Sequence, residues 1–182
     1  MTLPGDIRLA VRQRANFACE YCGVTEIDVG GELTMDHFHP RSHGGSNEIE
    51  NLVYCCHRCN EYKAGYWPAS ETDPQLWNPR TSTFAQHLLE LADGSLYPRT
   101  ETGSFTLQRL RLNRSPLVAY RRRKREQSES DVLLRRYHGL ITSLDQLARQ
   151  QAALLQEQHV LLEQQRALLS LLMPASDEAD IE

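Results

Sequence analysis

Four of the five cysteines stand in two pairs with the same two-residue spacer, Cys19/Cys22 and Cys56/Cys59. A CxxC turn aims two thiolates at one point, and two such turns complete a tetrahedral sulfur set that suits Zn²⁺. Four thiolates leave no open position on the ion, so the expected zinc is structural. The pairs are separated by 33 residues, a wider gap than a compact ribbon needs, so something is inserted between the knuckles. Cys55 competes with Cys56 as a ligand. The two-residue spacer favours Cys56 and leaves Cys55 as a small buried residue.

The insert carries the second set of candidate groups. Asp36-His37 closes an expected strand over 32–37 (ELTMDH). A carboxylate and an imidazole on adjacent strand residues point to opposite faces. They flank a common substrate group only if the strand bends there, and Pro40 with Gly44-Gly45 makes such a bend available. Asn51 follows in the return segment. Asn60 comes directly after Cys59, where a cysteine knuckle would pin it.

The elements that must position these groups are short. Residues 6–14 alternate apolar and basic side chains at near-helical spacing and predict a helix with Asp6 near its start. A cysteine turn over 17–23, the strand, a polar loop over 39–48 and an extended return over 51–54 lead to the second cysteine turn. That turn predicts a short helix through Lys63. Beyond Trp67 the signals weaken: Asp93-Gly94 predicts a hairpin between 84–91 and 95–97, and 102–110 a helix. Ser115-Pro116 is a strong helix start, and no proline follows until Pro174. One helix over about 116–172 is expected, on the order of 85 Å long.

The segment LTMDHFHPRSHGGSNEIENLVYCCHRCNEYKAG resembles the HNH nuclease motif in its zinc-ribbon-supported form. The likeness covers about residues 17–66 and includes Asp36-His37, Pro40, Ser42, Gly44-Gly45, Asn51-Leu52, Cys56, Cys59-Asn60 and Lys63. It implies a ββα-metal fold: a hairpin, then a helix, around one catalytic divalent ion. By that resemblance His37 is a general base for water attack on a DNA phosphodiester. Asp36 and Asn60 hold Mg²⁺ or Mn²⁺, and Asn51 braces the loop that orients His37. His39 and His43 are extra imidazoles, expected to meet solvent or phosphate rather than metal, and His57 is expected to be exposed.

Net charge is −4 for the whole chain, which hides an asymmetry. Residues 99–125 carry nine basic residues and one acidic residue, whereas 126–182 carry four and ten. Local asymmetry of this kind is the informative quantity for a nucleic-acid partner. Arg121, Arg122 and Arg125, with Arg41, Arg58 and Lys63 near the motif, are the expected DNA contacts. Five consecutive basic residues circle a helix, so they cannot all reach one DNA backbone.

Leu133, Leu140, Leu147, Leu154, Leu161 and Leu168 then repeat every seven residues. Beside them run 134, 141, 148, 155, 162 and 169, and a third column includes Gln151, Gln158 and Gln165. The pattern predicts a coiled coil and a homo-oligomer, a dimer in the simplest case. A basic run before leucine heptads also resembles a bZIP factor, but Pro116 interrupts the basic helix and the family's Asn-x-x-Ala-Ala pattern is absent.

The expected class is therefore α+β. Residues 1–66 form the nuclease module, 67–112 a small α+β extension and 113–172 the basic helix and coiled coil. Residues 173–182 form a disordered acidic tail. The chain has no apolar run long enough for a membrane span and no signal-type N-terminus, so a cytoplasmic protein is expected. The rival reading is an inactive HNH-fold protein that binds or scaffolds DNA.

Overall fold

A computed structural model describes residues 3–172, and the expected acidic tail over 173–182 lies outside the described residues. The chain divides into a unit over 1–126 and a unit over 127–182.

The first unit opens with helix α1 (Gly5–Arg14), whose buried Val11 packs towards the first hairpin. A one-turn helix α2 (Glu26–Val29) follows, closed by a Thr25/Asp28 capping box and by Gly30 in the left-handed region. These are standard start and stop signals for a single helical turn. Strand β1 (Thr34–His37) pairs antiparallel with β2 (Leu52–Cys55), Thr34 opposite Cys55 and His37 opposite Leu52. All four residues of β2 are buried, as a continuous apolar run predicts for a strand covered on both faces. Helix α3 (His57–Lys63) then packs against β1, completing a ββα module.

Residues after Trp67 form the α+β extension. A one-turn helix α4 (Phe84–His87) leads into the hairpin of β3 (Leu88–Glu90) and β4 (Leu96–Pro98). The Asp93-Gly94 hairpin is therefore present, but its first arm is helical over Phe84–His87, where the Thr83/Gln86 capping box wins. Helix α5 (Glu101–Arg109) is capped by Thr100, whose hydroxyl accepts from the Gly103 amide. Helix α6 (Ser115–Leu172) begins one residue before Pro116.

The first turns of α6 lock onto the extension. At Gly94 (φ 85°) a Cβ would lie 2.5 Å from the Val118 carbonyl oxygen, so the hairpin turn can sit there only as glycine. Leu117 and Arg121 are buried on the same face. In the second unit the described part is helix alone, and each leucine of the first heptad column is more than half exposed. Among the described residues no helix is long and apolar enough to cross a membrane.

Candidate functional site

The two cysteine turns meet. The sulfurs of Cys19, Cys22, Cys56 and Cys59 all lie within 4.8 Å of one another, and all four residues are buried. A tetrahedral ion with Zn–S near 2.3 Å requires sulfur pairs about 3.8 Å apart; Cys22 and Cys56 are 3.7 Å apart. Each knuckle folds its own backbone onto its first sulfur: the Cys22 amide donates to Cys19 Sγ and the Cys59 amide to Cys56 Sγ, both at 3.4 Å. Hydrogen bonds within the cluster hold the Cys56 thiol well below its ordinary range and push those of Cys22 and Cys59 above it, so one sulfur carries the charge that its neighbours' S–H groups bind. The donor set fits a structural zinc. Cys55 stands outside it, with its sulfur 3.7 Å from the Thr34 hydroxyl, and burial pushes its thiol up towards the neutral form.

Cys56 also caps α3, which ties the knuckle directly to the element carrying Asn60 and Lys63. Thr34 and Asp36, two apart on β1, share the face that meets α3. Asn60 Nδ2 donates to Thr34 Oγ1 at 3.4 Å, and Lys63 Nζ lies 2.9 Å from Asp36 Oδ2. Asp36 and Asn60 are thus brought onto facing surfaces. The Lys63–Asp36 contact is an ion pair without hydrogen-bond alignment, and Asp36 Oδ2 is buried without accepting a hydrogen bond. A carboxylate and a side-chain amide are oxygen donors of the type Mg²⁺ takes, but here the Asp36 oxygen already faces the Lys63 ammonium.

His37 ends β1, and the chain bends over the next two residues. Its Nε2 lies 2.9 Å from Asn47 Oδ1. Asn51 fastens the loop between them: its Oδ1 accepts from the His39 amide at 2.8 Å, and its Nδ2 donates to the carbonyls of His39 (3.0 Å) and Ser46 (2.8 Å). Gly45 lets this loop close, since a Cβ there would fall 1.8 Å from the His39 carbonyl oxygen. His39 is half-buried. Its ring stacks on Trp67 with centroids 3.9 Å apart, and its Nε2 is buried without a partner. His57 is exposed.

The expected DNA contacts divide sharply. Lys63 is fully buried, its ammonium held by Asp36 and by the His37 carbonyl at 2.8 Å. Cys59 and Lys63 are four apart on α3 and share its inner face, a signal present in the sequence. Arg121 is also buried, donating to the carbonyls of Gly94 (2.6 Å) and Leu112 (2.9 Å). Arg125 pairs with Glu90 at 2.9 Å. Buried Lys63 and Arg121 are therefore not free for phosphate as expected, and Arg125 is engaged by Glu90 at the surface. Arg41, Arg58 and Arg122 are exposed, Arg58 paired with Glu61 and Arg122 reaching Glu126 at 3.7 Å. Arg114, not among the expected residues, donates to the carbonyls of Leu110 and Arg111 and reaches Cys59 Sγ at 4.0 Å. Arg114, Arg121 and Arg125 of the basic segment are tied to groups within the protein, whereas Arg111, Arg122, Arg123 and Lys124 are exposed.

Residues 19–64 match the HNH endonuclease family. Over 92 residues, half of this chain, the sequence is 36% identical to the CRISPR-associated endonuclease Cas9 of Corynebacterium diphtheriae. The matched stretch is 8% of that protein's length. No solved structure matches the chain.

Proposed function

From the premise that residues 19–64 are an HNH-family module, we propose that this chain is a metal-dependent endonuclease that hydrolyses DNA phosphodiester bonds. The family implies a nuclease acting on phosphodiesters. His37 accepts a proton from the attacking water, a task suited to an imidazole near neutral pH. Asn51 holds the loop that orients it. Asp36 and Asn60 hold Mg²⁺ or Mn²⁺, which when bound stabilises negative charge on the phosphoryl and departing 3′ oxygens. The four-cysteine centre keeps α3, and so Asn60, in register with β1. Arg41, Arg58 and Arg122 contact phosphates, and the leucine columns of 127–172 join two copies.

The observation that supports this reading best is the meeting of Asp36 on β1 with α3, which carries Asn60 directly after a zinc-type cysteine. The test is nicking of a supercoiled plasmid with Mg²⁺ or Mn²⁺, wild type against His37→Ala, with the cut ends mapped. Metal-dependent nicks with 5′-phosphates, lost in the variant, are expected. Cleavage by the variant at the wild-type rate would reject the assignment. Sedimentation of the full chain against residues 1–126 tests the self-association.

A second reading has one observation in its favour. The fully buried Lys63 ammonium already lies against Asp36, and a permanent cation there would exclude a divalent ion. That state is an HNH fold that binds or scaffolds DNA without cutting it. DNA retention at low salt with no metal-dependent nicking would select it.

A further inference from the structure

We propose that Asn47 is the residue that fixes the tautomer and direction of the His37 ring. The inference rests on the reading of His37 as a general base and adds the group that prepares it.

A neutral imidazole carries one N–H and one lone pair, and which nitrogen holds the proton is decided by the hydrogen bond it makes. An amide oxygen only accepts. Asn47 Oδ1 lies 2.9 Å from His37 Nε2. Nε2 therefore holds the hydrogen and donates it to Asn47, and the lone pair is left on Nδ1. In the transfer, the water O–H bond breaks and an Nδ1–H bond forms. The hydroxide oxygen attacks phosphorus while the Nε2–H···O bond to Asn47 stays in place. The ring then carries the positive charge, and the same amide oxygen remains a good acceptor for it.

Asn47 is exposed, and a free side chain there would not hold a ring in place. Its backbone supplies the rigidity. The preceding Ser46 carbonyl is bound by Asn51 Nδ2 at 2.8 Å, the Glu48 amide donates to Ser46 Oγ at 3.3 Å, and the Gly45 amide donates to the Pro40 carbonyl at 3.0 Å. The short helical turn Ile49–Asn51 begins two residues later. Asn51 acts on His37 through Ser46 and Asn47. The chain of contacts runs from Asn51 to the loop, from the loop to the amide oxygen, and from that oxygen to the ring.

Asn47 is a positioning residue, so its test needs a readout that overall stability does not move. Long-range ¹H–¹⁵N correlation spectra of the full-length, zinc-loaded protein report the His37 tautomer, with His37→Gln as the assignment control. The wild type should show His37 protonated on Nε2. Asn47→Leu should give a mixture of tautomers with an unchanged thermal transition, and Asn47→Asp, which keeps the acceptor, should restore the Nε2–H form. In plasmid nicking, Asn47→Leu should lower kcat by roughly tenfold to a hundredfold, the range for outer partners of a reacting group, with KM within about twofold. A wild-type ring protonated on Nδ1, or an Asn47→Leu protein with wild-type tautomer and kcat, overturns the proposal. If the wild type shows the Asn47-dependent tautomer but cuts no DNA, the hydrolytic reading fails while this positioning role stands.

Discussion

Cys56→Ser and His37→Ala should separate scaffold from chemistry. Serine at 56 keeps a side-chain acceptor for the Cys59 amide, so the cap of α3 survives in kind. What it removes is one of four sulfurs gathered within 4.8 Å. A structural zinc site supplies on the order of 10–16 kcal/mol of folding free energy, against about 5–15 kcal/mol for the stability of a whole domain. Forfeiting even about half of the former exceeds the smaller values of the latter, so the unit over 1–126 should unfold. His37→Ala removes one exposed hydrogen bond, to Asn47, for about 0.5–1.5 kcal/mol. Far-ultraviolet dichroism is a poor assay, because the 58-residue helix α6 dominates it. Near-ultraviolet dichroism is the right one: Trp77 is 3% exposed and packs against Tyr21, a residue between the first two cysteines. Cys56→Ser should lose that signal and retain less than one zinc per chain, while His37→Ala keeps both. A Cys56→Ser protein with native near-ultraviolet dichroism, or a wild type that purifies without zinc, would refute the argument.

Lys63→Met should destabilise the zinc-loaded, magnesium-free protein by about 3–5 kcal/mol, since it leaves the Asp36 carboxylate without its buried partner. Added Mg²⁺ should then raise the melting temperature more in the variant than in the wild type, and no shift in either would count against an ion on Asp36. Asn51→Ala removes three hydrogen bonds of 2.8–3.0 Å and should cost about 1–3 kcal/mol by chemical denaturation while abolishing nicking. The Arg12 guanidinium, hydrogen-bonded to Glu26, holds that carboxyl below its ordinary 4.5. Its contribution to stability is present above that value and lost as pH falls through the folded-state value. Glu26→Gln should therefore flatten the acid limb of the stability profile, and an unchanged limb would count against the pair.

What the sequence makes legible is what spacing dictates. The paired cysteines, the Asp-His strand end and the Ser-Pro helix start each constrain geometry locally, and the ββα module with its sulfur cluster follows from them. The inward turn of Lys63 is half legible: its i,i+4 relation to Cys59 places it on the inner face, but only the fold puts Asp36 opposite. Arg121 is similar, four residues after buried Leu117. Asn47 carries no signal at all in the sequence. Its meeting with His37 depends on a loop closed by Gly45 and Asn51, and loop closure is a tertiary fact. The leucine columns remain an expectation about self-association, because one helix with exposed leucines does not specify its partner.

The inward arginines change what DNA binding should look like. The sequence alone puts six basic residues on phosphate: Arg41, Arg58, Lys63, Arg121, Arg122 and Arg125. Each released counterion steepens the salt dependence, with a slope of about −0.9 per phosphate contact, so six contacts imply a slope of about −5. Lys63 and Arg121 are buried, and Arg125 is half-buried in its pair with Glu90, whereas the Arg58–Glu61 pair is exposed. The three that remain imply a slope of about −3 per chain. Measured for residues 1–126 on a short duplex, a slope of about −3 would agree with three contacts, and one of about −5 would mean that two more basic side chains join them, either the exposed Arg123 and Lys124 or a released helix start. Arg121→Gln discriminates further. It should weaken the packing of α6 on the Gly94 turn, lowering thermal stability, and leave the slope where it was. A slope that falls by about one unit with no loss of stability would place Arg121 on the DNA and show the buried geometry to be absent in solution.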